Sequence, residues 1–140
     1  MKTFDLNRIG QRPLRVQGEI LLDISSTDTS MVCRLIVIET GNGYVGHVSV
    51  DPLNGQGQLS FVHAEDDPLM LREWFDTFDP THFISTADIM AKLESTPDEE
   101  AVQLSKAARV ITARLNSVRG LYTEVLKQAF GIHSQHQLAA

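Results

Sequence analysis

The sequence predicts an α+β domain: an N-terminal four-stranded antiparallel meander packed on C-terminal helices, the last of them long. Three observations predict it. Between residues 15 and 63, apolar and polar residues alternate in short runs separated by turn-forming residues, the period of half-buried strands. From Asp67 onward the period becomes helical. In the last third, apolar or small residues recur at Ala101, Leu104, Ala108, Ile111, Leu115, Val118, Tyr122, Val125 and Ala129, an unbroken 3-4 spacing.

The first dozen residues, through Gln11-Arg12-Pro13, read as a lead-in. A strand over about 15–24 follows, with Val16, Gly18, Ile20, Leu22 and Ile24 on one parity and Leu21 interrupting the polar side. Ser25 to Ser30 has the composition of a loop. The run 31–40 is the most apolar and most β-branched in the chain, and it ends at Gly41-Asn42-Gly43, a hairpin signal. With Asn42 and Gly43 as a type I′ loop, Thr40 faces Val45, Ile38 faces His47, Val37 faces Val48, Leu35 faces Val50 and Arg34 faces Asp51 in a strand over 44–51. That register puts Cys33, Leu35, Val37, Val48 and Val50 on a core face. Ile36 and Ile38 share the other face with His47 and Ser49, and left uncovered it would be a second interaction surface. After a turn at Pro52 to Gly57, a fourth strand over 58–63 points Leu59, Phe61 and His63 inward.

Asp67-Pro68 starts a helix over about 67–78 that carries Leu69, Met70, Trp74, Phe75 and Phe78, and Asp79-Pro80 stops it. Ser85-Thr86 opens a second helix, 85–94, with Ile89, Met90 and Leu93 as its stripe. Thr96-Pro97-Asp98-Glu99 combines a capping hydroxyl, proline at the first helical position and acids at the positive end of the dipole, so the long helix is placed at 96–130. Gly131 closes it. Residues 1–131 are read as one domain, and 132–140 as a flexible tail.

A chain of 140 residues is long enough to bury a core without disulfides or a structural metal. Its one cysteine, Cys33, fits a reducing compartment. The sequence has no run of about 18 apolar residues and no apolar leader at Met1 to Asp5, so a cytoplasmic location is expected. The net charge of -6 argues against nucleic acid and anionic membrane as partners. The charge is also uneven: residues 65 to 100 carry eleven acids and two bases, whereas 101 to 140 carry five bases and one acid. An acidic partner-binding patch at Asp66, Asp67, Asp98 and Glu99 is the reading this suggests.

A helix over 96–130 would run roughly 50 Å, longer than the sheet it covers. Part of its stripe, Leu104, Ala108, Ile111, Leu115, Val118, Tyr122 and Val125, needs another partner. A second copy of the helix is the economical one, giving a homodimer. The rival is folding back of residues 67 to 95 onto the stripe within one subunit. Gly120 would then mark either a close contact or a bend.

Chemistry is harder to find. His47 and His63 fall on opposite sheet faces, so they do not converge as metal ligands, and no metal or cofactor is expected. Cys33 sits on the core face rather than as a nucleophile. Neither Gly41-Asn42-Gly43 nor Gly55-Gln56-Gly57 precedes a helix that would hold phosphate. Were an acid–base site present, His47, His63, Glu65 and His82 are the residues to inspect. The leading expectation is a non-enzymatic protein-binding module, an inhibitor, adaptor or chaperone-like protein acting as an acidic homodimer. The alternative from another class is a small-molecule-binding domain or enzyme with a pocket at Trp74, Phe75 and Phe78, between the sheet and that helix. A further alternative is a DNA-binding regulator.

Overall fold

The computed structural model describes residues 2–8, 11–52, 59–83 and 100–139. The fold is α+β. Its strands are β1 (Lys2–Arg8), β2 (Gln11–Thr27), β3 (Met31–Thr40), β4 (Gly43–Pro52) and β5 (Leu59–Glu65). They form one antiparallel sheet in the order β1-β2-β3-β4-β5. Helix α1 (Pro68–Thr77), a 3-10 turn (Pro80–Phe83) and a long helix α2 (Glu100–Ala139) follow. The chain divides into two compact units, one of Met1–Phe78 with Leu121–Ala140 and one of Asp79–Gly120. The expected helix over 85–94 and the cap at Thr96-Pro97 lie outside the described residues.

The meander has five strands rather than four, because the lead-in is itself a strand. β1 offers only Phe4 and Leu6 as an alternating pair, too short a pattern to stand out. Its structure comes from its neighbour: Phe4 opposes Val16 and Leu6 opposes Leu14 on β2. β2 is correspondingly longer than 15–24. It runs to Thr27, where the Asp28 carboxylate accepts from the backbone N–H groups of Ser30 (2.7 Å) and Met31 (3.0 Å) and turns the chain.

Leu21 marks a bulge. Ile20 opposes Ile38 but Leu22 opposes Val37, so one extra residue is inserted in β2. A one-residue slip exchanges the faces of everything beyond it. The parity Val16, Gly18, Ile20, Leu22, Ile24 is therefore not one face. Val16, Gly18 and Ile20 lie with Ile38, whereas Leu22 and Ile24 lie with Val37 and Leu35.

The β3–β4 hairpin turns one residue earlier than expected. Gly41 and Asn42 form the loop, and Thr40 opposes Gly43. Neither loop residue has positive φ, which excludes a type I′ turn, while Gly43 takes φ 155°. The Thr40 hydroxyl accepts from the Asn42 N–H at 3.3 Å, donates to the Gly43 carbonyl at 3.2 Å, and so holds the turn. Every pairing shifts by two. Leu35 opposes Val48, Ile36 opposes His47 and Arg34 opposes Ser49, so the expected Arg34–Asp51 pair does not form. A shift of two preserves the faces, and Cys33, Leu35, Val37, Val48 and Val50 do share one.

That face is covered by α1 and by the start of the second stretch of the unit, from Leu121. Asp67 caps α1 by accepting from the Leu69 N–H at 2.9 Å, with Pro68 at the first turn. The buried residues of α1 are Leu71 and Phe75. Leu69 and Met70, expected in the stripe, point to solvent. Gly46 lets the helix approach: a Cβ there would lie 2.5 Å from the Phe75 ring and 3.0 Å from Leu71. The opposite face closes on itself, because the sheet curls until the Ser60 hydroxyl of β5 donates to the Asn7 carbonyl of β1. Leu6, Val16, Ile36, Ile38 and Val45 form a second core inside this curl, with Phe4, Leu14 and Val62 packed against it. Ile36 and Ile38 are thus interior residues, not an open surface.

In α2, Gly131 has φ 61° and ψ -176°, a break in the helical backbone where the sequence placed the stop. Gly120 lies within the helix, and a Cβ there would meet nothing within 4 Å. No close contact within the chain requires glycine there. Replacing Gly120 by alanine should raise stability by about 0.8–1 kcal/mol, the helix cost of glycine, read as a higher urea midpoint at unchanged slope.

Candidate functional site

The candidate surface is the first half of α2, which the unit Asp79–Gly120 presents. Leu104 is 52% exposed and Val102 43%. Ala108 is exposed, and Ile111 and Leu115 are half-buried. Heptad spacing places Leu104, Ala108, Ile111 and Leu115 along one line of the helix. The remainder of the expected stripe is differently placed: Val118, Tyr122 and Val125 are buried within the chain. Arg114 is half-buried and Arg109 exposed, at positions that flank the line.

Tyr122 belongs to the other unit, where it has a defined task. Its hydroxyl donates to the Phe75 carbonyl, one of the last-turn acceptors of α1 that the helix itself leaves unpaired. Burial pushes the phenol pKa far above its ordinary value, with the nearby Cys33 and Asp76 adding to the shift. Among the described residues, Trp74, Phe75 and Phe78 are drawn together by aromatic packing. They pack on one another and on the elements around them: Trp74 to Phe75 at 5.1 Å, Trp74 to Phe78 at 5.2 Å, Phe78 to Phe61 at 5.3 Å and to Tyr122 at 5.6 Å. Phe75 also meets Phe130 at 5.9 Å, beneath the Arg72 guanidinium, 5.4 Å from that ring. The aromatic set is the glue between sheet and helices.

A shallow cleft of about 210 Å³ lies elsewhere, between the β3–β4 turn and the end of β5, with Thr40, Tyr44, Glu65 and Asp66 in its wall. Of the acidic set, Asp66 and Asp67 are exposed at the start of α1. Asp98 and Glu99 lie outside the described residues. Asp67 is committed to its cap, so Asp66 alone offers an uncommitted test of that patch.

The histidines separate as the strand parity implies. His63 stacks on Trp74 at 4.8 Å with an 8° angle between rings, and its Nε2 is 2.7 Å from Glu65 Oε1. His47 faces the other way, opposite Ile36 and Val62. His82 lies in the Asp79–Gly120 unit, beside a turn where the Asp79 carboxylate accepts from the hydroxyl (2.6 Å) and N–H (2.9 Å) of Thr81. Those two bonds hold the Asp79 pKa below its ordinary value. Cys33 is 1% exposed, and burial pushes its thiol pKa up to about 12, so it stays protonated and inert. Among the described residues, no three of His, Cys, Asp and Glu come together in a group able to hold a metal ion. Nor is any helix among them long and apolar enough to cross a membrane.

Sequence reasoning missed one constellation. His47, Ser49 and Ser60 are buried together on the inner face of the sheet, at 5%, 2% and 2% exposure. Ser49 opposes Ser60 across the β4–β5 ladder. At the rim, Arg34 grips Asp23 with both ends of its guanidinium at 2.7 and 2.6 Å, which lowers the Asp23 pKa. Both members of that pair are more than a third exposed, so its contribution to stability is small. The parity of each residue is legible in the sequence; that Ser60 falls opposite Ser49 depends on the β4–β5 register, which alternation alone does not fix. No family model matches this chain, and comparison with curated proteins and with solved structures likewise returns no match.

Proposed function

We propose that this chain is a protein-binding module that acts as an acidic homodimer in the cytoplasm, paired through the first half of α2. The observation that carries the reading is the line Leu104, Ala108, Ile111 and Leu115. Its spacing is that of a helix-to-helix seam, yet Leu104 keeps half its surface in water. A paired copy removes that apolar surface from water, at roughly 25 cal/mol per Å². The same helix is rich in bases and the preceding segment rich in acids, so a second copy and an outside partner would both meet complementary charge.

Light scattering after gel filtration tests the pairing. The wild-type chain should elute at twice its 15.6 kDa mass. Leu104→Lys, at a site whose exposure spares the monomer's fold, should shift it to the monomer with unchanged far-UV dichroism. A wild-type chain that stays monomeric up to about 100 µM, equivalent to less than about 5.5 kcal/mol of association energy, would end this reading. Asp66→Lys then asks whether the acidic segment takes part in holding an outside partner.

A further inference from the structure

The inner polar constellation carries an inference independent of how the chain associates. We propose that the seam between β1 and β5 is a proton-operated latch: protonation of His47 releases β1 from β5 while the β3–β4 hairpin stays folded.

β1 and β5 are the two ends of the sheet order, joined by no strand ladder among the described pairings. What ties them is the Ser60 hydroxyl donating to the Asn7 carbonyl, together with the apolar packing of Phe4 and Leu6 inside the curl. His47 lies beneath this seam, 5% exposed, and neither ring nitrogen makes an aligned hydrogen bond among the described residues. An unsatisfied buried imidazole tolerates neutrality and penalises charge. The groups facing it offer an imidazolium little. From β3 comes Arg34, itself positive; from β2, Asp23, already held by Arg34. From β5 come Ser60 and Val62, and from β4 itself Ser49. β1 presents the Asn7 carbonyl, whose attraction for a proton is shared with Ser60. A charge arising here is relieved most cheaply by lifting the strand that has no ladder on this side, which admits water to the ring.

Burial lowers the His47 pKa below its ordinary 6.5; the Asn7 carbonyl opposes this, and the Arg34 charge adds to it. Above that ordinary value the ring is neutral whether the seam is open or shut. As pH falls through it, the open form binds the proton first, so the shut form loses stability until the lower pKa of the buried ring is reached.

Hydrogen exchange followed by mass spectrometry at pH 7.5 and 5.5, corrected for the intrinsic pH dependence of exchange, reads the latch directly. Protection of residues 2–8 should fall severalfold at the lower pH, toward the ceiling of roughly tenfold that one proton bound by the open form at its ordinary pKa allows, while residues 31–50 keep theirs. His47→Gln should abolish the difference. Ser60→Ala, which leaves the imidazole in place, should loosen residues 2–8 already at pH 7.5. Loss of protection shared equally by β3 and β4, an undiminished pH response in His47→Gln, or full protection of β1 in Ser60→Ala would each overturn the proposal.

Discussion

Replacing Phe75 by alanine should cost about 3–5 kcal/mol, the range for emptying a buried aromatic site. Phe75 is fully buried. It lies over Gly46 of the sheet, beside Trp74, and against Phe130 from α2. Three elements therefore lose a common contact at once. They cannot close the gap by local collapse, because Gly46 contributes no side chain to move into it. Against a total stability of about 5–15 kcal/mol, such a loss brings the fold close to its limit. Urea unfolding should show the midpoint falling steeply with the slope kept. A loss under about 1 kcal/mol would mean that α1 is not seated on the sheet through this ring. Leu69→Ala, on the exposed side of the same helix, is the control and should change stability by less than about 0.5 kcal/mol.

Gly18→Ala should be the second severe change, for a different reason. A Cβ at Gly18 would lie 2.1 Å from the Glu39 carbonyl oxygen and 2.8 Å from Ile38 Cγ2. The nearest obstacle is backbone on the neighbouring strand, so no rotamer change relieves it. β2 and β3 must separate locally, just ahead of the bulge at Leu21, where β2 is paired with both β1 and β3. The expected cost is at the top of the range of about 1–3 kcal/mol for overpacking. Faster exchange of the Glu39 and Thr40 amides, with β4–β5 protection little changed, would locate the damage. The same substitution at Gly120 has the opposite expected sign, because there the added methyl meets open space and the helix gains.

These two sites also mark where sequence reasoning succeeds and where it stops. The sequence marks Phe75 as part of an aromatic group joining sheet to helix, since a tryptophan and two phenylalanines within five positions can seldom all be exposed. By spacing alone, Leu69 and Met70 are as good candidates for burial as Leu71. Periodicity gives an apolar arc, but which edge of the arc is buried depends on where Gly46 lets the helix settle. In the sequence Gly18 is only one more small residue on an apolar parity. Nothing local in β2 reveals that a neighbouring carbonyl occupies the space where its side chain would be.

The register of the β3–β4 hairpin illustrates the same limit. Asn42-Gly43 satisfied the rule for a type I′ turn, and the Arg34–Asp51 match it implied looked like confirmation. The chain instead turns at Gly41-Asn42 with negative or unremarkable φ, and Arg34 finds Asp23 across β2. Opposite charges are common enough along two strands that one agreeable pair does not determine a register. The face assignment was nonetheless preserved, because an error of two residues leaves side-chain parity unchanged.

The candidate surface on α2 was legible as a stripe, but its division was not. Spacing treats Leu104 and Val125 alike, whereas one is half exposed and the other fully buried. By itself the sequence determined what local physics determines: antiparallel strands from alternation, the start of α1 from Asp67-Pro68, the break in α2 from Gly131, and the core face of β3. Tertiary structure alone decided the strandhood of β1, the change of face at Leu21, the enclosure of Ile36 and Ile38, and the meeting of His47, Ser49 and Ser60. Each of these depends on how one segment is placed against another, and no period, cap or turn residue within one segment carries that information.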